Sequence, residues 1–258
     1  MDLNSLAGKT AVITGGGSGL GEALARLCAS SGLHAVIADI DLGRARNVAE
    51  SISAGGGSAL AVHTDVARRD SVHALAQTCR DHFGGCDYLF NNAGIAIYKP
   101  LIETNEDDWN RSIGVNLLGI VNGISAFAPA MIKARAGSHI VNIASMAGLV
   151  PLEGFGIYVA TKFALVGLSE VLAAELASSG VGVTVACPGW IATAIQPTDT
   201  DAPQPAFPSE LSRIILPEVA ARIILDAMLA KRLHAPTHPE WRETVAARSD
   251  VLLDAFTS

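Results

Sequence analysis

The sequence lacks the features that nucleic-acid binding, metal binding and disulfide-stabilised folds require. Its 258 residues carry 18 Lys and Arg against 25 Asp and Glu, a formal net charge of −7, which leaves no basic excess to bind a phosphate backbone. The four cysteines form no CxxC pair and have no histidine at metal-ligand spacing; they are Cys28, Cys79, Cys86 and Cys187. We therefore predict reduced thiols, no metal ion and no nucleic-acid partner.

Long apolar runs and a targeting segment are absent as well. Residues 1–9, MDLNSLAGK, have no basic start followed by an apolar run, and no apolar run reaches the roughly 18 residues of a membrane span. Hydrophobic residues nevertheless make up 50% of the chain and charged residues only 17%, which supplies a large buried core. We expect a cytoplasmic protein with no membrane partner, folded as one domain over residues 1–258.

Short runs rich in Val, Ile and Ala alternate with longer segments of helical period, which is typical of βαβ units around a parallel sheet. The predicted strands are 10–14, 34–39, 59–64, 88–91, 139–143, 182–186 and 234–237. The predicted helices are 20–30, 42–53, 71–83, 105–134, 157–178, 218–230 and 239–255. The pattern predicts an α/β fold, a doubly wound sheet of seven parallel strands with helices on both faces.

One long segment without regular structure is expected after the sixth strand. Five prolines interrupt residues 196–217; they are Pro197, Pro203, Pro205, Pro208 and Pro217. Because α/β proteins bind ligands at the carboxyl ends of their strands, we predict a substrate lid at about 190–217. A plain surface connection is the alternative.

The first strand leads into a glycine-rich turn, TGGGSGLG at 14–21, and then into a helix. Gly15, Gly19 and Gly21 lack Cβ atoms, so the turn can tighten and the backbone can approach a pyrophosphate at the helix N-terminus. A helix start that binds no ligand is the alternative. The predicted dinucleotide contacts are Gly15, Gly17, Ser18, Gly19, Leu20 and Gly21.

The second strand ends on Asp39, roughly 20 residues beyond the glycines, where a carboxylate can accept hydrogen bonds from the adenosine ribose. An acid at this position repels a 2′-phosphate, and neither the glycine turn nor Ile40 supplies an arginine or lysine for one, so NAD(H) is favoured over NADP(H). Asp39 could instead cap the next helix, a role that Asp41 could also fill. Residues after the third and fourth strands are predicted to line the same crevice: Asp65, Val66, Asn92, Ala93 and Gly94.

A second group of residues carries acid/base chemistry. Ser145 follows strand 139–143, and Tyr158 and Lys162 lie one helical turn apart. A tyrosine with a pKa of about 10 is a poor base at neutral pH, but a nearby ammonium together with an oxidised nicotinamide favours the phenolate. Ser145 can then hold the substrate oxygen while Tyr158 exchanges its proton and hydride passes between the substrate carbon and the nicotinamide.

Over nearly its whole length the chain resembles the short-chain dehydrogenase/reductase family, whose members have a single Rossmann-like domain. The resemblance is carried by the glycine turn, Asp65, the NNAG motif at 91–94, Asn116 after Gly114 and Val115, Ser145, the YVATK motif at 158–162, and Pro188 and Gly189 followed by Thr193.

The resemblance implies further roles. Asn116 should interrupt its helix to hold a water that continues a proton relay from Tyr158 through the ribose and Lys162 to solvent. Lys162 should also bind the nicotinamide ribose, and the segment after the sixth strand should contact the nicotinamide through Pro188, Gly189, Ile191 and Thr193. The resemblance further implies a homotetramer, or a dimer, with helices 105–134 and 157–178 at the seam.

The predicted substrate pocket is mainly apolar and has no arginine or lysine to bind an acidic group; it comprises Ile95, Ile97, Ala147, Leu152, Phe155 and Trp190. We infer an apolar substrate, cyclic or aryl, although Leu152 and Trp190 could equally be core or interface residues. Residues 237–243 resemble the ending of a bacterial subgroup that includes dehydrogenases of aryl and benzylic alcohols, but they could also form a packing helix.

The leading hypothesis is an NAD-dependent alcohol dehydrogenase or ketone reductase acting on a small molecule. A non-catalytic NAD(H)-sensing module is an alternative, but the retention of Asn116, Ser145, Tyr158 and Lys162 argues against it. An NADPH-using reductase of carrier-bound acyl groups is another, disfavoured by Asp39 and by the lack of a basic face for an acidic carrier.

Overall fold

The computed structural model describes residues 6–134, 137–193 and 213–256. Its central element is a seven-stranded parallel sheet with the order β3-β2-β1-β4-β5-β6-β9. The strands are β1 (Thr10–Thr14), β2 (His34–Asp39), β3 (Ser58–His63), β4 (Tyr88–Asn91), β5 (His139–Ile143), β6 (Gly182–Cys187) and β9 (His234–Pro236). The order reverses between β1 and β4, which opens a crevice at their carboxyl ends. The predicted Rossmann-like, doubly wound fold is confirmed.

Helices cover both faces of this sheet. They are α1 (Gly19–Ser30), α2 (Leu42–Ala54), α3 (Arg69–Phe83), α4 (Glu106–Ser112), α5 (Gly119–Ala134), α6 (Gly156–Leu176), α7 (Pro217–Leu229) and α8 (Arg242–Asp254). An apolar core under α1, α2 and α7 includes Leu24, Ile37 and Ile224, and a second core under α3, α5 and α6 includes Leu75 and Leu89. The central strands are therefore buried on both faces, which is why their sequences are continuous apolar runs and not an alternation of apolar and polar residues.

The one helix predicted over 105–134 is divided in the structure. A π-helical turn, Ile113–Leu118, separates α4 from α5 and contains Asn116. The C-terminal helix also begins later than predicted, because Pro239–Trp241 form a 3₁₀ turn before α8. Apolar residues recur at helical spacing through both segments, so periodicity alone could not locate either change.

Two segments have the length and mean hydropathy of a membrane span, although no uninterrupted apolar run reaches that length. Glu106–Ala134 and Gly156–Leu176 pass that test by length and composition, with mean hydropathies of 1.6 and 1.5. Both belong to helices that pack against the sheet, and the core helix of a globular domain passes the same test. Scattered Asn, Ser and Thr residues divide the apolar runs of these segments, whereas a mean over the whole window averages across them.

A second, two-stranded sheet was not predicted. Strand β7 (Trp190–Ile191) pairs in parallel with β8 (Ile214–Ile215), which brings together the two ends of the proposed lid. Residues 214–215 are therefore strand rather than loop. Residues 194–212, and with them most of the predicted lid, lie outside the described residues.

Candidate active site

A cavity of about 560 Å³ lies at the carboxyl ends of the central strands. It brings together fifteen predicted site residues: Leu20, Asn92, Gly94, Ile95, Ser145, Ala147, Leu152, Phe155, Tyr158, Lys162, Pro188, Gly189, Trp190, Ile191 and Thr193. Ile97 was predicted to line the pocket, but its side chain is packed into the protein and is 4% exposed, away from the described cavity wall. Trp241, which comes from the C-terminal segment, lines the cavity without having been predicted.

The glycine turn between β1 and α1 is tightly packed. Gly15 has a φ of +63° and Gly19 a φ of +54°, and a Cβ at Gly21 would overlap the Gly15 carbonyl oxygen. Asn92 ties this turn to β4, since its Nδ2 donates to Thr14 O at 2.9 Å. The geometry explains why glycine is needed here and brings the backbone of the turn to the crevice.

The start of α1 fits an anionic group such as a pyrophosphate. Its N-cap residue is Ser18, whose side chain makes no capping hydrogen bond to the first turn. The first N–H groups of a helix carry partial positive charge and need acceptors, so this turn offers donors to a phosphate. A dinucleotide therefore fits the residues of the turn.

Asp39 lies at the carboxyl end of β2 and faces the glycine turn. Its Oδ2 accepts a hydrogen bond from Gly17 N at 2.9 Å, and its Oδ1 accepts one from Asp41 N at 2.9 Å. The cap of α2 is Asp41, whose side chain accepts from Arg44 N at 3.1 Å. Asp39 is therefore not the helix cap, and each of its oxygens keeps a lone pair with which to accept a ribose hydroxyl. The neighbouring Ile40 is 66% exposed.

The structure also brings a cation to this end of the site. A Cβ on Gly17 would lie 2.9 Å from Arg44 Cβ, and Arg44 Nε is 3.2 Å from the Asp41 carboxylate. The sequence-based prediction considered only the glycine turn and Ile40, which indeed supply no cation, and did not consider Arg44. Arg44 was missed because it is presented by the first turn of α2 rather than by the glycine turn or residue 40.

Two further predicted residues, Asp65 and Val66, follow β3 at the same edge of the sheet. Asp65 Oδ1 accepts a hydrogen bond from Ala67 N at 3.0 Å, and Val66 O accepts one from Asn122 Nδ2 at 2.9 Å. Ala93 N donates to Thr14 Oγ1 at 3.1 Å. These bonds fix the loops that flank the crevice.

Ser145, Tyr158 and Lys162 converge at the inner end of the cavity. Ser145 Oγ accepts from Ala147 N at 3.1 Å and lies 3.3 Å from Pro188 O, and the Ser145 hydroxyl bonds the Tyr158 hydroxyl. Lys162 is 3% exposed; its Nζ donates to Ile143 O at 2.8 Å and lies 5.4 Å from the Tyr158 ring centroid. An acid/base hydroxyl and a hydroxyl donor therefore face one point in the cavity.

Burial sets the protonation of this group. It raises the pKa of Tyr158 above its ordinary value, although the hydrogen bond from Ser145 acts in the opposite direction. Burial also lowers the pKa of Lys162 from 10.5 to about 8. In the protein alone the pKa of Tyr158 is therefore raised, with burial as the largest cause. The lowering expected from Lys162 together with an oxidised nicotinamide stays a prediction.

Asn116 lies beside the cavity in the π-helical turn and is fully buried. Its Oδ1 accepts from Ile95 N at 2.8 Å, and its Nδ2 donates to Ile95 O at 2.9 Å and lies 3.2 Å from Thr161 Oγ1. The side chain therefore fixes the loop after β4 against α6. Asn116 thus lies where the α-helix is interrupted, as the resemblance implies, while the water of the proton relay stays a prediction.

The family model described as short chain dehydrogenase matches residues 9–204, which include the glycine turn, Ser145, Tyr158 and Lys162. The chain belongs to the short-chain dehydrogenase/reductase family.

Relatives of this short-chain dehydrogenase/reductase include proteins that are named as oxidoreductases. The protein named "Probable oxidoreductase EphD" of Mycobacterium bovis is 39% identical over 186 residues, which are 72% of this chain and 31% of that protein. This chain thus spans about a third of the length of EphD. The "Uncharacterized oxidoreductase SSP1627" of Staphylococcus saprophyticus is 34% identical over 86% of this chain and 90% of its own.

Similar solved structures of the family have different dinucleotides bound: NAD, NADH or NADP. A short-chain dehydrogenase/reductase from Burkholderia phymatum in complex with NAD has a TM-score of 0.88 and 34% identity, covering 96% of both chains. The 3-ketoacyl-(acyl-carrier-protein) reductase from Brucella melitensis complexed with NADH has a TM-score of 0.81 and 30% identity over 90% of this chain and 96% of that one. A metagenomic short-chain oxidoreductase in complex with NADP has a TM-score of 0.74 and 34% identity over 88% and 92%.

Proposed function

We propose that this short-chain dehydrogenase/reductase interconverts an apolar secondary alcohol and its ketone with NAD(H), using Tyr158 as general acid and base. The observation that carries the proposal is the convergence of Ser145, Tyr158 and Lys162 at the inner end of the cavity. When bound, the cofactor supplies the carbon that accepts or donates hydride.

The chain's own residues move the proton. In the oxidation direction Tyr158 Oη takes the hydroxyl proton as the substrate C–H hydride departs, and in the reduction direction it returns a proton to the carbonyl oxygen. Ser145 Oγ donates a hydrogen bond to that same oxygen, which holds it against Tyr158. The Lys162 ammonium, 5.4 Å from the Tyr158 ring centroid, stabilises the phenolate.

The cavity wall supports an apolar, cyclic or aryl substrate. Phe155 lies at its centre, with ring centroids 6.2 Å from both Tyr158 and Trp190. Ile95 and Leu152 add aliphatic surface. Among the described lining residues the only cation is the proposed catalytic lysine, so an acidic substrate would be desolvated without a matching charge.

The cofactor preference rests on Asp39. Its carboxylate favours the two free hydroxyls of the NAD(H) ribose and repels a 2′-phosphate. Arg44 works in the other direction, because a guanidinium can bind a phosphate through two parallel hydrogen bonds. In the native chain Arg44 is paired with Asp41 at 3.2 Å, so two carboxylates oppose one cation and NAD(H) is preferred.

We expect Asp39→Ala to increase the ratio of kcat/KM for NADP to that for NAD by about tenfold to a hundredfold. The change removes a charge-assisted hydrogen bond to the ribose, of about 1.5–3 kcal/mol, and leaves Arg44 beside the 2′-position. Steady-state kinetics with both cofactors measure the ratio. The double variant with Arg44→Ala is the control and should lose the gain for NADP. Faster turnover of the native protein with NADP than with NAD would contradict the assignment.

The function itself is tested by following reduced cofactor from a panel of aliphatic, cyclic and benzylic secondary alcohols, with NAD and NADP in parallel. Activity with NAD on one apolar class supports the proposal. A carrier-bound 3-ketoacyl substrate belongs in the same panel, because one similar structure is a 3-ketoacyl-(acyl-carrier-protein) reductase. Preference for that substrate with NADPH would favour the acyl-carrier reductase instead. Tight NADH binding without turnover across the panel would favour a sensing module.

We also propose that the protein is cytoplasmic and forms a homo-oligomer, a tetramer or a dimer. Helices α5 and α6 carry exposed apolar side chains, among them Val121 and Val171, which are 39% and 59% exposed. Exposed apolar residues on neighbouring helices favour association of copies of the chain. Sedimentation velocity measures the assembled mass.

A further inference from the structure

The outer wall of the cavity is a very small structure. Strands β7 and β8 make two residue pairs, Trp190 with Ile214 and Ile191 with Ile215. Trp190, Ile191 and Ile214 all line the cavity, so we call this two-stranded sheet the roof. Isolated two-stranded sheets are marginally stable even when they are longer than this. The roof therefore needs support from other parts of the chain.

That support comes from His238, which is 1% exposed. Gly189 N donates a hydrogen bond to His238 Nδ1 at 3.0 Å, and His238 Nε2 lies 3.2 Å from Arg213 O. Gly189 immediately precedes β7, and Arg213 immediately precedes β8. One imidazole ring thus joins the starts of both roof strands.

The partners determine the state of this ring. A backbone N–H can only donate, so Nδ1 must be the unprotonated, accepting nitrogen, and the ring proton on Nε2 then donates to the Arg213 carbonyl. Thr237 Oγ1 lies 2.7 Å from Nδ1 and can donate to it as well. Both nitrogens of the ring therefore have hydrogen-bond partners.

Packing matches the hydrogen bonds. A Cβ on Gly189 would lie 2.6 Å from His238 Cγ, so the ring rests directly on the Gly189 backbone. The same segment continues to Trp241, whose N donates to His238 O at 3.2 Å and whose side chain lines the cavity. The C-terminal segment therefore supports the roof and completes the cavity wall.

We propose that His238 is a positioning residue for substrate binding: it holds the roof closed through Gly189 and Arg213 without touching the substrate itself. Its effect on substrate binding rests on the proposed function, whereas its effect on the roof does not. Loss of the ring should loosen β7 and β8 and raise the KM for substrate.

Three substitutions of His238 test its hydrogen bonds to Gly189 and Arg213 separately. His238→Asn keeps an acceptor near the Nδ1 position, His238→Gln keeps a donor near the Nε2 position, and His238→Ala removes both. Amide hydrogen exchange of peptides covering 189–191 and 213–216 reports on the roof, with β1 and β5 peptides as internal references. His234→Ala is the matched control, because His234 lies four residues earlier and is exposed, paired with Glu170 at 2.8 Å.

In His238→Ala we expect faster exchange in both roof peptides, unchanged exchange in β1 and β5, and a KM for substrate raised about tenfold with kcat changed far less. His238→Asn should restore slow exchange in the 189–191 peptide, and His238→Gln should restore it in the 213–216 peptide. Roof exchange in His238→Ala equal to that of the native protein and of His234→Ala would overturn the inference, as would faster exchange spread evenly through the sheet. If the roof loosens but the native protein turns over no substrate, the role of His238 in holding the roof stands, while its role in substrate binding fails together with the proposed function.

Discussion

Tyr158→Phe should lower kcat for alcohol oxidation by about 10²- to 10⁴-fold, the range typical of removing a general acid/base. The substitution deletes only the hydroxyl that bonds Ser145. The ring that remains keeps its contacts with Phe155, whose centroid is 6.2 Å away, and with Lys162 Nζ at 5.4 Å. We therefore expect NADH binding, measured by fluorescence titration, to stay close to native.

Tyr98→Phe is the matched control for this substitution. Tyr98 also packs against Phe155, in a tilted arrangement with ring centroids 5.0 Å apart, so its variant removes one phenolic hydroxyl from the same aromatic group. It should keep most of the native kcat, because its hydroxyl is not the one that bonds Ser145. Native kcat in Tyr158→Phe would rule out Tyr158 as the acid/base, whatever Tyr98→Phe does.

Lys162→Met should change how the stability of the cofactor-free protein depends on pH. Burial lowers the pKa of Lys162 from 10.5 to about 8, so between these values the unfolded chain binds a proton that the native chain does not. The free energy of unfolding of the native protein therefore increases as the pH rises through that window. Below pH 8 the full cost of burying the Lys162 ammonium is present. At about 1.36 kcal/mol for each pKa unit, the cost is about 3 kcal/mol.

Urea unfolding of both proteins from pH 7 to 10 measures this dependence. The stability of Lys162→Met relative to the native protein should fall by about 2 to 3 kcal/mol over that range. The lost hydrogen bond to Ile143 O shifts the difference by a constant amount and does not change its slope. The same substitution at exposed Lys133 on α5 should give a flat difference, and a flat difference for Lys162→Met would show that its ammonium is not destabilised by burial.

The buried ammonium of Lys162 lowers the stability of the fold at neutral pH, although the proposed chemistry needs it. A methionine at position 162 would fill the buried space without a charge, yet it could not stabilise a phenolate on Tyr158. Proteins commonly retain such unfavourable groups where function requires them. The lysine is thus explained by chemistry rather than by packing.

Much of this arrangement can be predicted from local sequence. Strands such as β1 and β5 are buried on both faces and read as continuous apolar runs, and the glycine turn follows β1 without a gap. Tyr158 and Lys162 are four residues apart on one helix, so their proximity follows from helical geometry. Asp39 ends a strand, and its direction into the crevice follows from the parallel sheet.

The features that could not be predicted depend on contacts between distant segments or on small changes of helix geometry. Arg44 reaches the adenosine end through the first turn of α2, and His238 meets Gly189 only because β9 pairs with β6. The π-helical turn around Asn116 leaves the spacing of apolar residues unchanged. No local pattern reports these contacts.

The position of Trp241 in the cavity wall determines when the cavity can be completed during synthesis of the chain. A nascent chain leaves the ribosome from its N-terminus, so the glycine turn, Asp39 and β4 can assemble while the ribosome is still adding α6 and β6. The substrate side of the cavity is closed by the segment synthesised last among its walls. A ribosome stalled before residue 241 would therefore hold a chain whose cavity lacks this part of its wall, and the complete cavity would appear only as the C-terminal segment emerges.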